Sequence, residues 1–217
     1  MEEICYIMGA IEPGNVVFPA GNPKFVIAAD GGLRHLEALG VVPDLVVGDF
    51  DSLGRVPEGG NIIRHPVEKD DTDMMLAVRT GLARGCRKFV LYGGFGGRPD
   101  HTYANYQTLC YLADHGAVGW LTGGGYVATA LRNGTLHFPA SCTGIVSVFC
   151  AGGDARGVTL QGLYYPLDNA TLTSAFPLGV SNQFTGVPAS VRVEEGTLLV
   201  MWEEDARSAV ERLCRQD

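Results

Sequence analysis

The stretch from Phe25 to Ser52, FVIAADGGLRHLEALGVVPDLVVGDFDS, decides the fold class of this chain. It begins with an apolar run that ends before Asp30, continues through leucines at helical spacing, and returns to a second apolar run that ends near Gly48. Short apolar runs on either side of a helical segment are typical of a parallel sheet that is covered by helices. The stretch therefore predicts an α/β fold.

The same alternation extends over residues 1–130, for which we expect a mostly parallel sheet with helices on both faces. Helices are predicted before Gly40 and Gly85, which are plausible C-terminal stops, and from His101 to His115. Strands are predicted at Ile4 to Met8, Phe25 to Ala29, Leu45 to Val47 and Phe89 to Tyr92.

The pattern changes after Asn133-Gly134, where short apolar runs are separated by Gly, Pro and Asn. Such runs indicate an all-β region. Strands are predicted at residues 145–150, 158–160, 191–193 and 198–202. We expect a second, β-rich domain over residues 131–217, with a helix in its final charged segment.

Composition excludes several classes of protein. The 217 residues are 46% hydrophobic and 18% charged, which is not the composition of a disordered chain. The net charge of −8 argues against nucleic acid or an anionic membrane as a partner. No apolar run approaches the roughly 18 residues of a membrane span, and the first residues are acidic where a secretory signal is basic. We expect a cytoplasmic protein.

Aspartates follow two of the predicted strands. Asp30 follows the first strand of the quoted stretch, and Asp49 and Asp51 follow the second. In an open α/β sheet, ligands bind beyond the carboxyl ends of the strands. Asp49 and Asp51 would project to the same face of an extended segment, where their charges favour a cation between them. Mg²⁺ fits such a pair, although any one of these residues alone is equally well explained as a turn or helix cap.

A second acidic cluster, EKDDTD at residues 68–73, precedes the helix predicted before Gly85. Asp71 or Thr72 is the expected N-cap, and an acid such as Asp73 in the first turn is favoured by the helix dipole. Lys69 lies among these acids. Its positive charge suits a phosphate group that is bound to a metal ion, and the neighbouring acids would hold that ion.

A third motif, YGGFGGRPDH at residues 92–101, combines glycines with Arg98 and Asp100. Glycines permit a close approach of the backbone to a ligand, and the Arg98 fork suits a phosphate. The motif lacks the Lys-Ser/Thr pair of a Walker A loop. By itself it is also compatible with a flexible turn.

Taken in order, the motifs DGG, PDLVVGDFDS, KDDTD and GGRPDH resemble those of the thiamine pyrophosphokinase family. The resemblance continues more weakly through LYYPL at residues 163–167 and through Ser181-Asn182. It implies transfer of the diphosphate group of ATP to the hydroxyethyl oxygen of thiamine, with Mg²⁺, giving thiamine diphosphate and AMP. It also implies an N-terminal α/β domain, a C-terminal β-sandwich, and a homodimer with its active sites between the subunits.

The resemblance assigns the candidate site residues in three groups. Those that match metal-binding acids are Asp49, Asp51 and Asp73, and these three together with Arg98 and Asp100 are the expected catalytic residues. Those that match nucleotide-binding or phosphate-binding positions are Asp30, Lys69, Thr72 and Arg98. Those that match thiamine-binding positions are Asp100, Ser181 and Asn182. In this interpretation Arg98 or Lys69 neutralises the transferred group, Asp100 orients thiamine or its hydroxyl, and the Ser-Asn pair acts across the dimer interface.

The aromatic residue that stacks on the pyrimidine ring stays open at this stage. Phe184 follows the Ser-Asn pair, and Trp202 ends the last predicted strand. Both are equally well explained as core residues.

Two other functions are compatible with parts of the sequence. A haloacid dehalogenase-like phosphatase also places Asp-x-Asp after an apolar strand, with the first Asp as nucleophile. Gly48 and Leu53 depart from that pattern. Formation of AMP without a covalent phosphoenzyme separates the transferase from this phosphatase. A non-catalytic sensor that binds nucleotide and thiamine is the second alternative.

Overall fold

The computed structural model describes residues 3–20, 24–48, 62–64 and 71–215. The helices in this part of the chain are α1 Gly32–Ala38, α2 Asp73–Arg84, α3 Pro99–Asp114 and α4 Ala206–Arg215. The strands are β1 Ile4–Met8, β2 Lys24–Ala29, β3 Leu45–Gly48, β4 Ile62–Arg64, β5 Lys88–Tyr92, β6 Val118–Gly123, β7 Tyr126–Arg132, β8 Thr135–Phe138, β9 Ile145–Gln161, β10 Leu167–Leu172, β11 Gly179–Gln183, β12 Ala189–Arg192 and β13 Glu195–Glu203. None of the described helices is long and apolar enough to cross a bilayer.

The strands of the first half of the chain pair in parallel, in the order β4-β3-β2-β1-β5-β6. Ile4 of β1 is paired with Lys24 of β2 on one side and with Lys88 of β5 on the other. The strand order therefore changes direction between β1 and β5. Such a switch point leaves a crevice beyond the carboxyl ends of the two strands.

Helices cover both faces of this parallel region. Tyr6 of β1 belongs to the same core cluster as Leu36 of α1, and three apolar residues of α4 join that cluster. Ile7, the next residue of β1, belongs to a second cluster with Val78 of α2 and Leu109 of α3. Because neighbouring strand residues point to opposite faces, α1 and α4 lie on one face and α2 and α3 on the other.

The sheet continues past the parallel region, so the prediction of a mostly parallel sheet is wrong. β7 pairs antiparallel with β6, and β13 pairs antiparallel with both β7 and β9. The large sheet is therefore mixed. The reason is a hairpin after β6, followed by a late strand, β13, that returns to pair with β7. Apolar runs predict that such strands exist, but the sequence does not show which strands they pair with.

β9 connects two sheets. Its first part pairs with β13 and β11, and its second part pairs with β10 and β12. Gly152, with φ +76°, lies between the two parts. Val146 and Val158, one from each part, lie in the same core cluster. The runs predicted as two strands at residues 145–150 and 158–160 are thus one bent strand, of the kind that turns the corner between packed sheets.

Candidate active site

The carboxyl ends of β3, β2, β1 and β5 form one edge of the sheet. A Cβ atom on Gly48, the last residue of β3, would lie 3.1 Å from Cα of Asp30. A Cβ atom on Gly93, which follows β5, would lie 2.5 Å from the carbonyl oxygen of Gly9, which follows β1. Side chains do not fit at these points, so glycine lets neighbouring strand ends approach each other closely.

Asp30 follows β2 at this edge, as predicted. Its backbone N–H donates to the Val47 carbonyl at 2.8 Å, and its own carbonyl accepts from Leu33 N–H at 3.2 Å. Its φ angle of +45° is in the left-handed region, which few residues other than glycine adopt. The residue is half-buried, and its Oδ1 atom is buried. Strained conformations of this kind are concentrated at functional sites.

The start of α2 is capped by a hydroxyl. Thr72 is the N-cap, and its Oγ1 accepts a hydrogen bond from Met75 N–H at 3.2 Å. The other candidate cap, Asp71, instead forms an ion pair with Arg79. Of the two caps that the sequence left open, the structure therefore selects Thr72. Its predicted contact with the nucleotide stays a prediction.

Asp73, the first residue of α2, is half-buried. The next residue, Met74, packs against the end of β1, because a Cβ atom on Gly9 would lie 2.9 Å from Met74 Cε and 2.6 Å from the Gly93 carbonyl oxygen. The beginning of α2 therefore meets the segments that follow β1 and β5. This contact brings Asp73 to the edge where Asp30 lies.

Arg98 and Asp100 form a two-pronged ion pair at the beginning of α3. Arg98 Nη2 and Nε lie 2.5 and 3.2 Å from Asp100 Oδ2 and Oδ1. Both side chains are exposed, and Asp100 Oδ1 also accepts from His101 N–H at 3.0 Å. The hydrogen bond from Arg98 lowers the pKa of Asp100, and the same bond raises the pKa of Arg98. Both residues are therefore charged at neutral pH.

Ser181 and Asn182 lie on β11, in the C-terminal half. Ser181 is exposed, has a φ angle of +58°, and donates its N–H to Ser147 Oγ at 3.0 Å. Asn182 is only 3% exposed. Its Nδ2 donates to the Tyr165 carbonyl at 2.7 Å, and its Oδ1 accepts from Tyr165 N–H and Gln183 N–H at 2.9 Å each. Asn182 thus fixes the backbone that carries Tyr165.

Within one chain, the Ser-Asn pair does not join those other candidates that the structure describes. β11 is five strand steps from β5 along the path β5-β6-β7-β13-β9-β11. That separation is about 24 Å measured across the sheet, at the usual strand spacing. Ser181 and Arg98 therefore belong to different regions of the subunit.

The sequence did not identify two exposed tyrosines as candidate site residues. Tyr164 and Tyr165 are 63% and 61% exposed, with ring centroids 4.8 Å apart. Trp202, in contrast, is fully buried against Phe138, and Phe184 is half-buried against the same ring. The signal in the sequence was the LYYPL motif, but its contact with Asn182 could not be predicted from spacing.

Asp49, Asp51 and Lys69 lie outside the described residues. In the part of the chain that is described, no three His, Cys, Asp or Glu side chains are grouped closely enough to hold a metal ion. The metal-binding role of Asp49, Asp51 and Asp73 therefore stays a prediction.

Comparison with known families agrees with both halves of the chain. Residues 20–118 match the model for the thiamin pyrophosphokinase catalytic domain, and residues 134–198 match the model for the thiamin pyrophosphokinase vitamin B1 binding domain. Among curated proteins, the chain is 26% identical over 193 residues to thiamine pyrophosphokinase of Bacillus subtilis. This match covers 82% of the chain and 87% of the relative.

Solved structures show the same fold. The structure of thiamine pyrophosphokinase from Bacillus subtilis matches with a TM-score of 0.80 at 23% identity, covering 94% of this chain and 100% of that one. Thiamin pyrophosphokinase from Geobacillus thermodenitrificans matches with a TM-score of 0.77 at 25% identity, over 94% and 98% of the two chains. The enzyme from Candida albicans matches with a TM-score of 0.74 at 15% identity, over 94% and 90%. With both domain models matched in order along most of its length, the chain belongs to the thiamine pyrophosphokinase family.

Proposed function

We propose that this enzyme transfers the diphosphate group of ATP to the hydroxyethyl oxygen of thiamine, and that the reaction takes place at the carboxyl edge of β3, β2, β1 and β5. The observation that supports this assignment is that three parts of the chain come together at the switch point of the sheet. They are Asp30, the start of α2, which carries Asp73, and the segment that leads to Arg98. A crevice at such a switch point is the usual ligand site of an open α/β sheet.

The side chains at this edge suit Mg²⁺, because carboxylate oxygens are its preferred protein ligands. Asp73 is one predicted ligand, and Asp49 and Asp51 follow β3 directly in the sequence. When bound, Mg²⁺ would neutralise charge on the phosphates of ATP. Asp30, whose left-handed backbone places it at the same edge, would lie beside the nucleotide.

Arg98 is the main phosphate-binding cation of the proposal. Its guanidinium group already holds a carboxylate in two-pronged geometry, and a phosphate presents the same pair of oxygens. When ATP replaces Asp100 as its partner, Arg98 neutralises the transferred group. The released Asp100 carboxylate then accepts a hydrogen bond from thiamine or its hydroxyl. Lys69 would add a second positive charge.

The protein itself contributes little covalent chemistry to this reaction. Phosphoryl-type transfer depends mainly on in-line positioning and on neutralising charge in the transition state. In the proposal, Arg98 and Lys69 supply the cations that this requires, and Asp49, Asp51 and Asp73 supply the metal-binding carboxylates.

Thiamine would bind between this edge and the β11 region of a second subunit. Tyr165, held by Asn182 next to Ser181, offers an exposed aromatic face. Such a face suits both the pyrimidine ring and the cationic thiazolium ring of thiamine. In this proposal Ser181 contacts thiamine, whereas Asn182 acts by holding Tyr165.

A homodimer would join the two regions. The surface around β11 carries exposed apolar side chains, and a monomer rarely leaves so many uncovered in one region. They are Ile145, Tyr164, Tyr165, Phe176, Leu178, Val180 and Val187. A twofold dimer through this surface would cover them and bring β11 of one subunit to the phosphate edge of the other.

The proposal divides the chain into a catalytic α/β part, residues 1–130, and a thiamine-binding and dimerising β part, residues 131–217. The ranges of the two domain models, 20–118 and 134–198, support this division. We also propose a cytoplasmic location. All six cysteines are free thiols, as is usual in a reducing compartment.

The test is to incubate the purified protein with ATP, Mg²⁺ and thiamine and to identify the products by mass spectrometry. We expect thiamine diphosphate and AMP in equal amounts. Asp73→Asn should lower the turnover about 100-fold, the loss expected when charge neutralisation weakens by a few kcal/mol. Asp71→Asn is the matched control, because Asp71 is bonded to Arg79 instead of facing a ligand, and it should retain activity.

Each alternative function has its own outcome in this assay. Release of inorganic phosphate without AMP would support a phosphatase. Binding of ATP and thiamine without turnover would support a sensor. Either result would contradict the proposal.

A further inference from the structure

The glycine-rich segment between β5 and α3, residues 93–97, is fixed near its start by a buried side chain of α3. Asn105 Nδ2 donates a hydrogen bond to the Gly94 carbonyl oxygen at 2.9 Å. Asn105 is only 6% exposed. Because a buried amide is costly without hydrogen bonds, this contact strongly favours one position of the Gly94 carbonyl.

Packing on both sides leaves the segment little room to move. A Cβ atom on Gly94 would lie 2.9 Å from Asn105 Nδ2 and 2.7 Å from Leu121 Cδ1 of β6. On the other side, Ile11 N–H donates to the Gly93 carbonyl at 3.2 Å. The start of the segment is therefore held between α3, β6 and the loop after β1.

A second residue of α3 holds the end of the segment. Thr102 Oγ1 lies 3.1 Å from the Gly96 carbonyl oxygen and 3.4 Å from that of Arg98. Thr102 and Asn105 are three residues apart and lie on neighbouring positions of one helix face. Two side chains of α3 thus fix the backbone that leads into Arg98, the N-cap of the same helix.

We propose that Asn105 is a positioning residue for diphosphate transfer, acting through the Gly94 carbonyl on the placement of Arg98. This inference rests on the proposed function, in which Arg98 neutralises the transferred group. Asn105 is only 6% exposed and bonds to the segment, so in this proposal it acts through Arg98 instead of contacting substrate. A displacement of about 1 Å in a group that stabilises the transition state is enough to lower a rate about 100-fold.

The first test is Asn105→Asp, which keeps the size of the side chain and replaces the donor with a carboxylate. Its negative charge would repel the Gly94 carbonyl and displace the segment. We expect kcat to fall about 30-fold while KM for thiamine changes less than about threefold, since Arg98 acts mainly in the transition state.

Thr108→Val is the matched control. Thr108, also in α3, is 1% exposed, and its Oγ1 hydroxyl bonds to the Ala104 carbonyl of the same helix at 2.9 Å. Replacing the hydroxyl of Thr108 by a methyl group removes a buried hydrogen bond and leaves the contacts of the glycine-rich segment unchanged. Its kcat should stay within about twofold of the wild-type value even where its melting temperature falls. A kcat loss in Thr108→Val equal to that of Asn105→Asp would overturn the inference, because any damage to α3 would then suffice.

A double-mutant cycle with Arg98→Ala separates positioning from a general structural role. If Asn105 acts through Arg98, Asn105→Asp should lower kcat by less than about threefold in the Arg98→Ala background. Independent effects that multiply in full would overturn the inference. So would a wild-type kcat in Asn105→Asp itself.

Thr102→Val serves if Asn105→Asp does not fold. Thr102 is only half-buried and its loss leaves the core intact, so we expect a folded protein with kcat lowered about threefold by the freed Gly96 carbonyl. An unchanged kcat in this variant would overturn the inference. A wild-type enzyme that makes no thiamine diphosphate would instead overturn the proposed function, so the two failures are distinguishable.

Discussion

Asp30 and Ser181 have left-handed backbone conformations, with φ angles of +45° and +58°. Neither residue is a glycine, so each conformation costs free energy that glycine would not cost. The first lies at the proposed nucleotide edge and the second in the proposed thiamine region. A protein under selection for stability alone has no reason to keep side chains there, which is why these positions are informative about function.

We therefore predict that Asp30→Gly separates stability from activity. Glycine adopts the observed φ angle without strain, so the melting temperature should be unchanged or higher, by the equivalent of about 0.5 kcal/mol. Turnover should fall about 100-fold because the carboxylate is lost from the nucleotide edge. Thermal unfolding and steady-state kinetics measure the two effects.

Asn169→Gly is the control for this prediction. Asn169 has a similar φ angle of +48°, lies on β10 and is exposed. It should show the same relief of strain and full activity. Loss of stability in Asp30→Gly with activity retained would show that Asp30 serves only the fold.

At the scale of elements, α4 is attached to the sheet by a half-buried cation. The Arg212 guanidinium lies 4.8 Å from the Trp120 ring centroid, 5.1 Å from that of Trp202 and 5.2 Å from that of Phe138. Its partner is Glu204, which also accepts from Trp202 Nε1 at 2.7 Å. The aromatic faces and the carboxylate together compensate for removing the charge from water.

We predict that Arg212→Ala destabilises the protein by about 3 kcal/mol, because it leaves the half-buried Glu204 carboxylate without its ion-pair partner and opens a space among three aromatic rings. Arg207→Ala, on the same helix, removes an exposed pair with Glu211 at 4.0 Å and should cost less than about 0.5 kcal/mol. Urea denaturation measures both values. Equal effects would mean that the aromatic enclosure contributes nothing beyond a surface ion pair.

The elements differ in how well the sequence predicts them. β1, β2, β3 and β5 lie within one residue of their predicted bounds, because buried parallel strands are continuous apolar runs. β9 was predicted as two strands, since Gly152-Gly153 resembles a turn when only neighbouring residues are considered. β11, with the sequence GVSNQ, has no apolar pattern and forms only because β9 supplies hydrogen-bonding partners.

The candidate site shows the same division. Aspartates after strands and the Arg-x-Asp pair are local features, so the sequence was sufficient to place Asp30 and Asp100. The contact between Asn182 and Tyr165 joins residues that are 17 positions apart. It depends on how the bend that carries Tyr165, between β9 and β10, lies against β11, and a spacing rule cannot supply that arrangement. The same holds for Asn105, whose side chain bonds to a residue 11 positions before it.

At the scale of the whole molecule, the proposed function requires two separate regions of the chain to act together. The phosphate edge lies beyond β1 and β5, and Ser181 and Tyr165 lie five strand steps further along the sheet. In the proposed dimer a second subunit closes that separation, and it would attach at the exposed apolar side chains around β11.

We predict that variants defective in different regions restore each other's activity in a mixed dimer. Arg98→Ala removes the phosphate-binding cation, and Tyr165→Ala removes the aromatic face. If each active site uses Arg98 from one subunit and Tyr165 from the other, a heterodimer of the two variants contains one intact site and one doubly defective site. Co-expression with two affinity tags and tandem purification should therefore give a dimer with about half the wild-type activity, as expected for a twofold assembly with two sites.

The control heterodimer combines Arg98→Ala with Asp73→Asn, because both residues lie at the phosphate edge of the same subunit. In the proposed arrangement, every site of that heterodimer lacks one of them, so its activity should be no higher than that of the two parents. Absence of recovery in the first pair would place the whole site within one chain, whereas recovery in the control would mean that Arg98 and Asp73 reach a site from different subunits. A fully active enzyme that light scattering shows to be a monomer would likewise place the whole site within one chain. Tyr165 would then need a role unrelated to thiamine.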